Sequence, residues 1–209
     1  LKLDKEKTAE VVQNLLVSHP KLWDLDFPYR YTVETIIKKG GKTIDKYLTP
    51  FGIRSVKFDK DKGFFLNNKH LKLKGMCLHQ DAGCLGTAVP DRAYERRLLI
   101  LKEFGTNAIR CSHNPPSPEF LNYCDSIGFL VIDEAFDKWK SGYYEEFFDS
   151  SWQQDISDMV IRDRNHPSVI LWSIGNELAE AKLKDDTGIE RAGMLQDFVH
   201  QLDPSRLVM

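Results

Sequence analysis

The spacing of apolar residues divides this 209-residue chain in two. In the first 58 residues the pattern is that of strands. Glu10 to Ser18 is apolar-rich with β-branched members and reads as a strand, and Tyr29 to Lys38 alternates through Tyr29, Tyr31, Val33, Thr35 and Ile37. Gly40-Gly41 provides a hairpin turn before Lys42 to Tyr47, and Pro20 and Pro28 bracket a loop that holds Trp23. So few strands cannot close a sandwich, so residues 1–58 read as the later part of a β-sandwich domain. A further hairpin follows, with Gly63-Phe64-Phe65-Leu66, a turn at Asn67-Asn68-Lys69, and Leu71-Lys72-Leu73.

From residue 59 onward short apolar runs come to alternate with amphipathic helices, the signature of βαβ units and an α/β fold with a parallel sheet. The strand candidates are Leu73–His79, Asn107–Ser112, Phe129–Glu134, Val169–Asn176 and Arg206–Met209. Helix signals lie between them. Asp91 opens a helix that Gly105 stops, and Ser117-Pro118 and Gly128 mark the two ends of the next. Ser151 with Gln154, and Thr187 with Glu190, have the spacing of capping boxes for the last two. Four βα units and the start of a fifth strand result. Connections leaving strands are long (Gln80–Pro90, His113–Pro116, Ala135–Ser150, Leu178–Asp186), whereas those entering strands are short. Long loops at the C-terminal ends of parallel strands mark the face that carries chemistry.

Composition alters this picture little. The chain has 29 Lys+Arg against 31 Asp+Glu and 42% hydrophobic residues, as ordinary globular proteins do. Without a basic run there is no electrostatic footprint for nucleic acid. No apolar stretch reaches the ~18–20 residues that span a bilayer, and no signal-peptide pattern opens the sequence. Cys77, Cys84, Cys111 and Cys124 lack CxxC spacing and read as buried free thiols.

Sorting polar residues by strand end gathers His79 and Asp81, then Arg110 and His113, then Asp133, Glu134 and Asp137, and finally Asn176 and Glu177 around one mouth. Carboxylates, imidazoles, a guanidinium and an amide, with Trp139 nearby, suit a hydroxyl-rich ligand such as a sugar. Trp139 is either an aromatic platform for that ligand or a hydrophobic plug. His166 falls at the opposite end and reads as structural. Glu177 ends the run Val169 to Glu177, where low dielectric would raise a carboxyl pKa and suit it to general acid work. The competing reading is a carboxylate salt-bridged to an arginine of the mouth. Asp133 and Glu134 read as a hydrogen-bonded scaffold with Arg110 in preference to a catalytic pair, which is the other reading. Cys111 and Ser112 have no His-Asp relay spacing for a nucleophilic role.

Six motifs occur in order: Phe51-Gly52-Ile53-Arg54, Gly63 to Asn67, Lys74 to His79, Asn107 to His113, Val131 to Ala135 and Trp172 to Glu177. From about Pro20 onward the series resembles glycoside hydrolase family 2, the family of β-galactosidases, β-glucuronidases and β-mannosidases, and most of all its β-galactosidase-like enzymes from Bacteroides. The resemblance implies part of an immunoglobulin-like β-sandwich followed by the N-terminal half of a (β/α)8 TIM barrel over residues 59–209. It implies retaining hydrolysis of β-linked sugars. Glu177 would be the acid/base, Asn176 would bond the sugar 2-hydroxyl, Arg110 would hold the nucleophile's carboxylate, and His113, His79, Asp81 and Trp139 would touch substrate. It also points to a periplasmic or secreted enzyme.

Two departures qualify the resemblance. Some members hold magnesium beside the acid/base through a Glu and a His, and here those places carry Lys138 and Lys140, so no metal and no cofactor are expected. The family's nucleophilic Glu lies on a late strand, whereas this sequence ends at Met209 on the fifth. The isolated chain is therefore expected to be inactive, and to self-associate through its open half-barrel. A non-catalytic carbohydrate-binding or assembly module, and a metal enzyme using His79, Asp81, His113 and Glu177, are the other readings.

Overall fold

The computed structural model describes residues 7–182 and 186–209. Five parallel strands pair in the order of the chain: β6 (Gly75–His79), β7 (Ala108–Ser112), β8 (Leu130–Glu134), β9 (Val169–Ser173) and β10 (Leu207–Val208). Helices α1 (Asp91–Glu103), α2 (Pro118–Ile127), α3 (Glu145–Asp163) and α4 (Thr187–Leu202) connect them. Sequential order without reversal is the arrangement of a barrel wall, in contrast to a doubly wound sheet. No described helix is long and apolar enough to cross a membrane.

Strand alternation, interrupted by one irregularity in β9 at Ile170, divides the side chains between two cores. Ile109, Cys111, Val131, Val169 and Trp172 pack on the helices, against Leu98, Leu121, Ile156, Leu195 and Val199. Ala108, Leu130 and Ile170 line the other face near the strand starts, where Trp23, Phe64 and Leu66 close it. Phe64 and Leu66 belong to the antiparallel set β3 (Val56–Asp59), β4 (Gly63–Leu66) and β5 (Lys69–His70). Asn67 and Asn68 form its two-residue turn with φ +50° and +64°, the left-handed pair that such a tight hairpin requires. The second strand is thus Lys69–His70, short of the expected Leu71–Leu73.

The floor of the sheet is stapled by the segment that precedes it. Lys102 Nζ donates to the carbonyls of Leu25, Ile127 and Gly128 at 2.9, 3.1 and 2.7 Å, capping the end of α2. Gly128 has φ +85°, and a Cβ there would stand 2.2 Å from the Leu25 carbonyl oxygen, so only glycine fits. His166 Nδ1 lies 2.6 Å from Asp125 Oδ2 at this same end, a structural contact.

Helix boundaries follow the sequence signals at α2, where Ser117 Oγ accepts from Phe120 N at 3.2 Å and Pro118 takes the first turn. They differ at α3, which begins at Glu145, so Ser151 and Gln154 lie inside the helix. Glu145 and Glu146 occupy its first turn, where the helix dipole favours carboxylates. At α4 the N-cap is Asp186, and Thr187 is the first helical residue.

The first part contains β1 (Tyr31–Lys39) and β2 (Lys42–Phe51), an antiparallel hairpin about Gly40-Gly41. The expected strand at Glu10–Ser18 is absent: that segment is irregular and makes no strand pairing, with Leu16 92% exposed. β-Branched composition favours a strand only where another strand offers its edge. Cys111 and Cys124 are buried, whereas Cys77 and Cys84 are exposed, on the edge strand β6 and in the loop after it.

Candidate active site

The hub of the site is Glu134, fully buried at the C-terminal end of β8. Its carboxylate accepts from Arg110 Nε at 2.8 Å and Nη2 at 2.6 Å, and from Ser173 Oγ at 2.7 Å; His113 Nδ1 lies at 2.6 Å. Because the carboxylate is an acceptor, Nδ1 carries the imidazole proton and Nε2 is left to face a ligand. Arg110 Nη2 also donates to Asn176 Oδ1 at 3.1 Å, and the His113 ring meets the His79 ring edge-on at 5.5 Å. Parity explains the gathering. Arg110, Glu134 and Ser173 lie at alternate positions of three adjacent strands, and in-register pairing places Glu134 opposite Ser173.

Arg110, His113, His79, Asn176 and Glu177 thus come to one end of the sheet. Asp81 stands just beyond β6 and is tied through its carbonyl, which accepts from Arg97 Nη2 at 2.7 Å. A cavity of about 680 Å³ opens alongside, lined by His113, Phe136, Asp137, Lys138, Tyr144 and Arg162 among others.

Four expectations change. First, β9 ends at Ser173, and the Glu177 side chain is 81% exposed, 3.4 Å from Lys138 Nζ, so the low-dielectric seat is not there. The burial of an apolar strand stops with the strand. Second, Trp139 is 1% exposed and donates from Nε1 to the Ile174 carbonyl at 2.5 Å; it is a plug under the loop and offers no face to a sugar. Third, Asp133 does not join Glu134. Consecutive strand residues face opposite sides, and Asp133 points among the helices, fully buried, with neither carboxyl oxygen hydrogen-bonded and Asp163 as its charged neighbour. Fourth, among the described residues no three His, Cys, Asp or Glu side chains group to hold a metal ion, so the four-ligand reading lacks its geometry. The magnesium held by some family members does not fit here either, because the Lys138 ammonium already sits against Asp137 and Glu177.

Asp137, Lys138, Ser173 and Glu180 also shape the site. Glu180 Oε1 accepts from Lys140 N at 2.9 Å and Arg191 Nη1 at 2.7 Å, tying two loops to α4. Strict alternation from Val169 would have put Ser173 on the helix side; the irregularity in β9 at Ile170 brings it opposite Glu134. Burial raises the Cys111 thiol well above its ordinary pKa, the opposite of what a nucleophile needs.

Burial first, then the negative charge of Asp163, hold the Asp133 carboxyl well above the usual carboxylate range. The folded state therefore binds this proton more tightly than the unfolded chain. Stability from this group is present below pH ~4 and is lost as pH rises through the folded pKa. Asp133→Asn, which keeps the shape and removes the titrating carboxyl, is expected to flatten the decline of Tm with pH above 4 and to exceed wild type at pH 8. Parallel Tm–pH profiles for the two proteins would contradict this.

Sequence comparison supplies the family. The profile of glycosyl hydrolases family 2, TIM barrel domain, matches residues 56–209, and that of glycosyl hydrolases family 2 matches residues 2–54. The β-galactosidase BoGH2A of Bacteroides ovatus is 48% identical over 206 residues, covering 94% of this chain and 24% of its own. A β-glucuronidase of Bacteroides fragilis is 34% identical over 207 residues, covering 95% of this chain and 29% of its own. A family 2 glycosyl hydrolase from Bacteroides cellulosilyticus superposes with a TM-score of 0.86 at 47% identity, covering 90% of this chain and 25% of that one. The chain therefore spans about a quarter of the length of these relatives. Motifs, half-barrel and profiles agree: this chain belongs to glycoside hydrolase family 2, and comprises part of the immunoglobulin-like domain and the first half of the catalytic TIM barrel.

Proposed function

We propose that this chain is the acid/base half of a retaining β-glycosidase acting on terminal β-galactosides, divided near residue 58 into sandwich and barrel parts. The observation that carries the reading is the placement of Asn176 and Glu177 beside the Arg110–Glu134–His113 cluster at the strand ends. Glu177 gives its proton to the glycosidic oxygen as the C–O bond breaks. A carboxylate supplied by the remainder of the full-length enzyme, about 5–5.5 Å away, bonds to the anomeric carbon. Water then attacks that carbon, Glu177 takes its proton, and the carboxylate departs. Arg110 orients the attacking carboxylate, Asn176 bonds the 2-hydroxyl, and His113, His79 and Asp81 contact the sugar.

The 209-residue chain by itself holds one member of this carboxyl pair. Purified alone, it is expected not to turn over 4-nitrophenyl β-galactoside, and to associate with itself through the open edge of β6. Robust turnover that disappears in Glu177→Gln would refute the need for a second carboxyl from outside these residues. A β-glucuronide substrate is the second reading, favoured by the relatives named β-glucuronidases; comparison of galactoside and glucuronide turnover by the full-length enzyme decides between them. Galactose or glucuronic acid binding tightly to the isolated chain in calorimetry would favour a carbohydrate-binding module instead.

A further inference from the structure

Asp137 and Lys138 leave β8, and Asn176 and Glu177 follow β9, so two loops meet here. Lys138 Nζ lies 3.0 Å from Asp137 Oδ1, 3.4 Å from the Asn176 carbonyl oxygen and 3.4 Å from Glu177 Oε2. Asp137 accepts from Asn176 Nδ2 at 2.9 Å, and its own carbonyl accepts from Asn176 N at 2.9 Å. One dipeptide therefore grips the other at every position: Asp137 sets Asn176, and Lys138 sets Glu177. The asymmetry in exposure matters, because Lys138 is 25% exposed while Glu177 is 81% exposed. Glu177 also has φ +43°, a sparsely populated conformation for a non-glycine residue.

We propose that Lys138 is a positioning residue for Glu177, a built-in cation that holds the acid/base carboxyl over the sugar site where some family members use a metal ion. This rests on the assignment of Glu177 above. An ammonium suits both halves of the reaction: it donates a hydrogen bond to the carbonyl oxygen of the protonated acid and supplies counter-charge to the carboxylate base. It stays protonated throughout, since the hydrogen bond to Asp137 foremost, and Glu177 after it, hold the Lys138 ammonium above its ordinary pKa. Nearby, the His113 imidazole faces Asp137, and the Arg110 guanidinium reaches Asn176.

Lys138→Met and Lys138→Arg in the full-length enzyme test this through leaving-group dependence. Methyl β-galactoside needs a proton on its departing oxygen, whereas 2,4-dinitrophenyl β-galactoside does not. Lys138→Met is expected to lower kcat/KM for the methyl glycoside about 10–100-fold and for the dinitrophenyl glycoside within about threefold, with Lys138→Arg recovering most of the loss. Equal losses on both substrates would mean a structural role only and overturn the proposal. Glu177→Gln run in parallel separates the two claims: if it shows no leaving-group dependence, the acid/base assignment itself has failed. In the full-length enzyme, the ¹³Cε titration of Lys138 should move down in Glu177→Gln, because charge coupling is reciprocal. An unchanged midpoint would also overturn the proposal.

Discussion

Glu177→Gln in the full-length enzyme is expected to lower kcat/KM for methyl β-galactoside by about 10²–10⁴, with little change for 2,4-dinitrophenyl β-galactoside. The parameter kcat/KM reports events up to the first irreversible step, here cleavage of the glycosidic bond. A poor leaving group departs only with a proton, so loss of the donor falls on it in full; dinitrophenolate departs without one. With the activated substrate, kcat is expected to drop, because the second step now lacks its base. Added azide, an anion that needs no deprotonation, should restore turnover and yield a β-glycosyl azide. The alternative, that Glu177 is only the ion-pair partner of Lys138, predicts equal and small effects on both substrates, since an exposed pair contributes little. A uniform loss would therefore remove Glu177 from the chemistry.

The second large effect concerns stability. Trp23→Ala is expected to cost about 3–5 kcal/mol, read as a lower urea midpoint at an unchanged m value. Trp23 lies in the first part of the chain, yet it is fully buried against Phe64, Leu66, Ala108, Leu130 and Ile170 on the floor of the sheet. Its Nε1 donates to the Asp125 carbonyl at 2.8 Å, and its carbonyl accepts from Asn67 Nδ2 at 3.0 Å. A Cβ on Gly52 would stand 2.7 Å from the Pro167 ring, so the segment that links β2 to β3 must pass close against the same floor. Trp23→Phe should retain most of the packing and lose the indole hydrogen bond, about 0.5–1.5 kcal/mol. A loss under about 1 kcal/mol for Trp23→Ala would mean that this segment does not anchor the barrel.

Alternation and turn chemistry made the half-barrel legible. The strand runs around Ile109, Val131 and Ile170, the Ser117-Pro118 start and the Gly128 stop are local features, and each lies where its residues predict. The same rule separates Glu134 from Asp133, since neighbours on a strand cannot share a face. It was outweighed by the acidic character both residues share. Ser151 and Gln154 mimic a capping box because Ser-x-x-Gln spacing recurs inside helices, and only the placement of Glu145 and Glu146 one and a half turns earlier shows where α3 begins. Glu10 to Ser18 misled for a different reason: β-branched residues favour a strand but do not provide its partner.

Order and spacing along the chain determined the fold class, the family and the end of the sheet where the polar residues gather, because strand period, helix caps and loop length are short-range properties. Which of those residues touch was decided only by the tertiary structure. The Arg110–Glu134–His113 cluster, the burial of Trp139 and the grip of Lys138 on Glu177 depend on the register between strands and the path of the loops above them. A side chain's dielectric surroundings are built by distant segments that close over it, which is why Glu177 is exposed although the run of residues leading to it is buried.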